Sequence, residues 1–283
     1  MRNLKLTTPR LIGPDVSDWQ QFLAGQGLYN DIVDGVFGPG TSQATKDYQK
    51  SAGIAPDGIV GPSTLARAVR DGFQTTRRTM MAGMDASVNC TDFANCIVAA
   101  GMQFVARYYS RIGPSKILTP VEASALSAAG LKLVVVYQDR QNDAKFFSGA
   151  LGTSSAQKAL ELAAQAGQPE GSAIYFAVDF DPDSAIVQGP IAEYFYAVNQ
   201  VFGTAETSYS IGVYGSGLTC RLIRDASLAQ YAWLSSSTGY RETALFRPRA
   251  HLIQSAPERK ICGGKLSIDD DIAQTEDYGA FTL

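Results

Sequence analysis

From Ala173 to Asp181 the chain alternates. Ile174, Phe176, Val178 and Phe180 form a row of large apolar side chains; Ala173, Tyr175, Ala177, Asp179 and Asp181 form a second row, mostly small and ending in two carboxylates. A period of two marks a β-strand. Its apolar row suits outer helices, and its carboxylates, ~6.6 Å apart at ~3.3 Å per residue, would project at the C-terminal end. Asp181-Pro182-Asp183 is also turn chemistry, so a strand running into a turn is the plainer reading. Similar strand patterns fall at Met81–Ser87, Phe104–Ser110, Lys132–Asp139, Tyr209–Ser216, Tyr231–Ser237, Ala250–Ser255 and Leu266–Ala273. Helical periodicity falls between the earlier ones, at Asp92–Ala100, Pro120–Ala129, Ala156–Ala166 and Ile191–Phe202. Thr119 as N-cap, Pro120 behind it and Glu122 at the third helical position mark one start, and Gly130 its stop. Eight strands with helical crossovers predict an α/β fold, a (β/α)8 TIM-like barrel whose last helices are short or missing. A doubly wound open sheet is the alternative, weakened because no G-x-G-x-x-G follows an early strand.

The first 70 residues have another rhythm. Val16, Trp19, Phe22 and Leu23 recur at helical spacing. Asp34-Gly35-Val36-Phe37-Gly38-Pro39-Gly40-Thr41 returns as Asp57-Gly58-Ile59-Val60-Gly61-Pro62-Ser63-Thr64. Each copy reads as a turn entering a helix, with its Thr at the N-cap or in the first turn. The expected organisation is a small all-α domain over 1–72, a polar linker over 73–79 and the barrel over 80–283.

Composition narrows the function. The chain has 283 residues, a net charge of −3, 45% hydrophobic and 18% charged residues. That balance suits a globular protein and argues against a nucleic-acid partner. No apolar run reaches the ~20 residues of a membrane span. Met1 to Gly13 lacks the apolar core of a secretory signal, so action outside the cytoplasm would need another route of release. The four cysteines, Cys90, Cys96, Cys220 and Cys262, allow three full pairings or free thiols. The single histidine, His251, lies in an apolar stretch and reads as a strand residue. One histidine argues against zinc peptidases, amidases and Ser-His-Asp hydrolases; no metal and no cofactor are expected.

Candidate chemistry gathers at strand ends. Asp85 ends the first strand, Asp139 the third, Asp179 and Asp181 the fourth; Asp269 and Asp271 share a face of the last. Closing the barrel would bring Asp85 to Asp269 or Asp271, with Asp179 and Asp181 across the mouth. Facing carboxylates, one protonated and one ionised, are what glycosidic cleavage needs. Sugars stack on aromatic rings and hydrogen-bond to polar side chains. The candidate substrate-binding residues are therefore Arg107, Tyr109, Tyr137, Gln138, Tyr214, Trp233, Gln254 and Asp271.

Two resemblances sharpen this. Trp19-Gln20-Gln21-Phe22-Leu23, Gly27-Leu28-Tyr29, the two DGxxGPxT copies and Tyr48-Gln49-Lys50-Ser51-Ala52-Gly53 resemble the three-helix bacterial peptidoglycan-binding domain. That implies a peptidoglycan groove lined by the turn residues. Met84-Asp85-Ala86-Ser87, Ala106-Arg107-Tyr108-Tyr109, Ala177-Val178-Asp179-Phe180-Asp181, Gly212-Val213-Tyr214-Gly215 and Ile268-Asp269-Asp270-Asp271-Ile272 resemble a glycoside-hydrolase-like bacterial family, itself similar to the family-25 muramidases. The resemblance implies Asp181 as general acid, Asp179 assisting the reaction centre, and Asp85 and Asp269 lining the floor. The muramidase acid is Glu, one methylene longer than Asp181. The expected function is a monomeric, peptidoglycan-targeted, lysozyme-like glycosidase, such as a phage endolysin or a secreted effector. A non-catalytic wall-binding protein is the alternative.

Overall fold

The computed structural model describes every residue except 1, 12, 32, 34, 75–79 and 207. Asp34 of the first repeat and most of the expected linker thus lie outside the described residues. The chain divides into two compact units, residues 1–77 with 245–249, and 78–244 with 250–283.

The first unit contains α1 (Pro14–Gly25), α2 (Pro39–Ser51) and α3 (Pro62–Arg70). Trp19, Leu23, Tyr48, Val60, Ala68 and Phe73 share its core, so Phe73 packs rather than links. The repeat has a structural cause. Gly35 and Gly58 both have positive φ, 71° and 75°, which favours glycine. Gln20 Oε1 accepts from the Gly35 N–H at 2.8 Å, while its Nε2 donates to Val36 O and Thr41 Oγ1. Gln49 repeats the pattern with Gly58 N–H, Ile59 O and Thr64 Oγ1. Each turn is held by one buried glutamine. Gly38 and Gly61 occupy the N-cap positions; Thr41 and Thr64 fall in the first turn with their side chains turned inward.

The second unit is a closed barrel in the order β1 to β8. The strands are β1 (Met81–Asp85), β2 (Phe104–Tyr109), β3 (Lys132–Tyr137), β4 (Ala173–Ala177), β5 (Ser210–Gly215), β6 (Tyr231–Leu234), β7 (Leu252–Ile261) and β8 (Leu266–Ala273). Helices α4 (Ala94–Ala99), α5 (Pro120–Ala128), α6 (Gly149–Ala166), α7 (Ala192–Thr204) and α8 (Gly217–Asp225) lie between strands. The first seven strands are parallel. The last departs from a (β/α)8 pattern: a tight turn, with no helix, joins β7 to β8, so β8 runs antiparallel to both β7 and β1.

Alternation decides what faces the interior. Phe104, Ala106, Val134, Val136, Ala173, Tyr175, Ala177, Trp233, Leu252 and Ala273 fill it. Glycine makes room for two of the rings: a Cβ on Gly212 would lie 2.4 Å from the Tyr175 ring, and one on Gly83 2.3 Å from Phe104. The floor is closed by the C-terminal segment. Tyr175 Oη donates to Tyr278 O, and Leu133 and Phe281 bridge. Cys96 of α4 is bonded to Cys262 at the β7–β8 turn, one pairing among those the sequence left open; Cys90 and Cys220 are free and buried.

Candidate active site

Above the packed interior a cavity of about 280 Å³ opens at the C-terminal ends of the parallel strands. Asp85, Tyr108, Gln138, Asp179, Tyr214, Trp233, Gln254 and Asp269 line it with Ser235, Ser236 and Ser237. Each of the first eight continues the inward row of its own strand.

Gln254 joins the acidic side. Its Nε2 donates to Asp85 Oδ2 at 2.9 Å and to Asp269 Oδ2 at 3.1 Å; its Oε1 accepts from Tyr214 Oη at 3.0 Å. Asp85 and Asp269 are register partners across β1 and β8, which is why their side chains share a face. Tyr108 Oη donates to Asp85 Oδ1 at 2.9 Å. Because β8 runs downward, Asp271 lies one inward position below Asp269. It accepts from Trp233 Nε1 at 2.9 Å and is 1% exposed. Burial, then the Asp269 charge, pushes Asp85 up to about 6. Burial, then Asp85, pushes Asp271 well above the usual carboxylate range.

Asp179 lies two residues past the end of β4, four strands round the barrel from β8. Its Oδ2 accepts from Gln138 Nε2 at 3.0 Å. Burial raises its pKa against that bond and the nearby Lys116 charge. Trp233 and Tyr214 meet edge to face, 5.2 Å between centroids, and give the mouth an aromatic wall.

Several expected site residues lie elsewhere. Asp181 does not line the cavity. β4 ends at Ala177, alternation lapses, and Asp181 accepts from the Arg241 backbone N–H at 2.8 Å and from Arg241 Nη1 at 2.6 Å. It clasps the segment that follows the three serines. Arg107, Tyr109 and Tyr137 occupy the outward rows of β2 and β3. Arg107 forms a fully buried ion pair with Glu122 of α5, Nε to Oε1 2.6 Å, and donates to Ala86 O. Tyr109 donates to Gln168, and Tyr137 to Asp139. Asp139 is held by Ser110, Arg111 and Tyr137, outside this cavity. His251 lies just before β7 rather than in a strand, and its Nδ1 accepts from the Ala232 N–H. Tyr108 and the three serines were missed. The parity of Phe104 and Ala106 would have found Tyr108; the serines follow a strand end and carry no periodic signal. Among the described residues no three His, Cys, Asp or Glu side chains are grouped to hold a metal ion.

Fold and mouth define a glycoside-hydrolase-like barrel preceded by a peptidoglycan-binding domain, whose family matches residues 12–67. The chain belongs to the Rv2525c-like, glycoside hydrolase-like domain family, matched over residues 95–273. The Tat-secreted protein Rv2525c of Mycobacterium tuberculosis, solved with L-tartrate, is similar at 25% identity and a TM-score of 0.58, covering 71% of this chain and 98% of that one. The modular autolysin LytC of Streptococcus pneumoniae shares the fold, with a TM-score of 0.51 at 12% identity over 69% of this chain and 46% of that one. Uncharacterized protein YbfG of Bacillus subtilis is 32% identical over 73% of this chain, and FadG of the same organism 25% over 90%. The matches span 30% and 46% of those two longer proteins.

Proposed function

We propose that the barrel hydrolyses the glycan strand of bacterial peptidoglycan, held to the wall by the N-terminal domain. The observation that carries this reading is one aromatic-walled cavity with Asp179 on one side and Asp85 and Asp269 on the other. Asp179, rather than Asp181, is the general acid: its raised pKa helps it keep a proton, and Oδ2 is anchored by Gln138. It gives that proton to the leaving glycosidic oxygen. Water adds at the anomeric carbon and gives its proton to Asp269, the more exposed of the two carboxyls opposite. Action outside the cytoplasm fits the Cys96–Cys262 disulfide and the secreted relative.

Digestion of purified peptidoglycan, followed by mass spectrometry of the new ends, tests this. New reducing ends at muramic acid are expected. Asp179→Asn should lower their rate about 10²–10⁴-fold, the usual contribution of a general acid. One observation favours a second reading, a barrel that binds glycan without cutting it: Asp181, the general acid that the resemblance to muramidases implies, is engaged by Arg241. Wall binding with no new ends would establish that reading.

A further inference from the structure

The polar face of the mouth continues beyond the cavity. β6 pairs with β7 at Leu252 and Ile253, and β1 stops opposite Asp269. β7 and β8 run on as a two-stranded arm in which Arg259, Lys260 and Ile261 pair with Ile268, Ser267 and Leu266. Facing residues of an antiparallel pair share a side, and sides alternate along a strand. Lys260 and Ser267 therefore share the side of Asp269, Asp271 and Gln254, while Ile261, Leu266 and Ile268 take the other. Burial agrees: those three apolar residues are buried, Lys260 is exposed and Ser267 half-buried. Ser267 Oγ donates to Glu258 Oε1, which brings the Glu258 carboxylate to the same side. The Glu258 charge adds to burial in raising Asp269. The tip of the arm is fixed through Cys262 to α4.

The cavity, at about 280 Å³, falls below the ~300–1,000 Å³ typical of pockets for drug-sized ligands. A polymer seated there must lay its next sugars on whatever surface continues the cavity. We propose that the Ser267, Glu258 and Lys260 face of the arm is a second glycan subsite, holding the sugars adjacent to those in the cavity. The inference rests on the reading of the barrel as glycan-acting. Glu258 accepts, Lys260 donates and Ser267 does both, a set matched to sugar hydroxyls and N-acetyl groups. The buried apolar side and the disulfide pre-organise this face, which limits the entropy lost on binding.

Binding of peptide-free peptidoglycan glycans to the full chain, carrying Asp179→Asn to stop cleavage, tests the proposal. A disaccharide and an octasaccharide are compared by backbone amide shifts and by affinity. The octasaccharide should shift Lys260 and Ser267 as well as Trp233; the disaccharide should shift Trp233 alone. Adding Glu258→Ala, or separately the exposed Lys260→Ala, should weaken octasaccharide binding about fivefold, one hydrogen bond's worth, and leave the disaccharide unchanged. An octasaccharide that shifts only cavity amides, or equal losses for both lengths, would overturn the arm subsite and leave the cavity reading standing. If neither glycan shifts Trp233 or any other amide of the cavity lining, the glycan reading of the barrel falls, and the arm subsite with it.

Discussion

Asp271 is the deepest carboxyl of the mouth. Its Oδ2 is buried with no hydrogen-bond partner, and the Asp85 charge adds to burial in favouring its protonated form. Folding raises both groups, so as pH rises the unfolded chain gives up protons first. The pair's contribution to stability is complete below the unfolded carboxylate range, ~3.9, and is lost as pH rises through the folded values, near 6 for Asp85. Asp271→Asn keeps an acceptor for Trp233 and supplies a permanent donor for Asp85. It should stabilise the protein at pH 7.5 by ~1.4 kcal/mol or more and have little effect at pH 4, measured by urea unfolding. Asp181 predicts a different phenotype. Asp181→Asn should loosen the clasp on Arg241, raising KM several-fold with kcat nearly unchanged, whereas Asp179→Asn should lower kcat. Similar kcat losses in both variants would return Asp181 to the chemistry. The contrast shows how far sequence reaches at this scale. Alternation carries Asp179 onto the inward row because β4 holds its rhythm to Ala177, and it misplaces Asp181 because the strand has already ended before the Asp181-Pro182-Asp183 turn that the residue types mark. Arg107 looked like a sugar ligand because it is polar; its buried partner, Glu122, is visible in sequence only as a helix-start residue.

At the scale of elements, turns and pins matter most. The DGxxGPxT repeat is legible as two turns, but the glutamines that hold them lie on preceding helices at unequal distances, so the pairing emerges only in three dimensions. Gln49→Leu leaves the buried Gly58 N–H without its acceptor, while the Thr64 hydroxyl keeps its bond to Ile59 O. It should cost about 1–3 kcal/mol in unfolding of the first unit, read by hydrogen exchange at Gly58. Strand positions are legible as eight short runs that either alternate, as from Ala173 to Asp181, or are continuously apolar, as from Leu133 to Tyr137. The direction of β8 is not, since a period of two is the same read either way. Cys96 and Cys262 lie 166 residues apart, and no spacing rule joins them. Replacing both with serine removes a cross-link of a kind that contributes up to ~5 kcal/mol. Unfolding should shift accordingly, and amide exchange should accelerate first at Lys260 to Ser267.

In the whole molecule, the proposed attachment and cleavage fall to separate units, so they should separate in experiment. The full chain bearing Asp179→Asn should still sediment with insoluble peptidoglycan while releasing few reducing ends. Loss of sedimentation in that variant would mean that the barrel cavity, and not the N-terminal unit, holds the wall. The reversed last strand has a further consequence. β8 descends from the rim, and the chain after it closes the floor, where the Ala173 N–H donates to Gly279 O and Phe281 pairs with Leu133. A tag or partner domain fused after Leu283 would therefore emerge beneath the barrel, on the side away from approaching polymer. Immobilising the protein through that end should leave the mouth open to the solution.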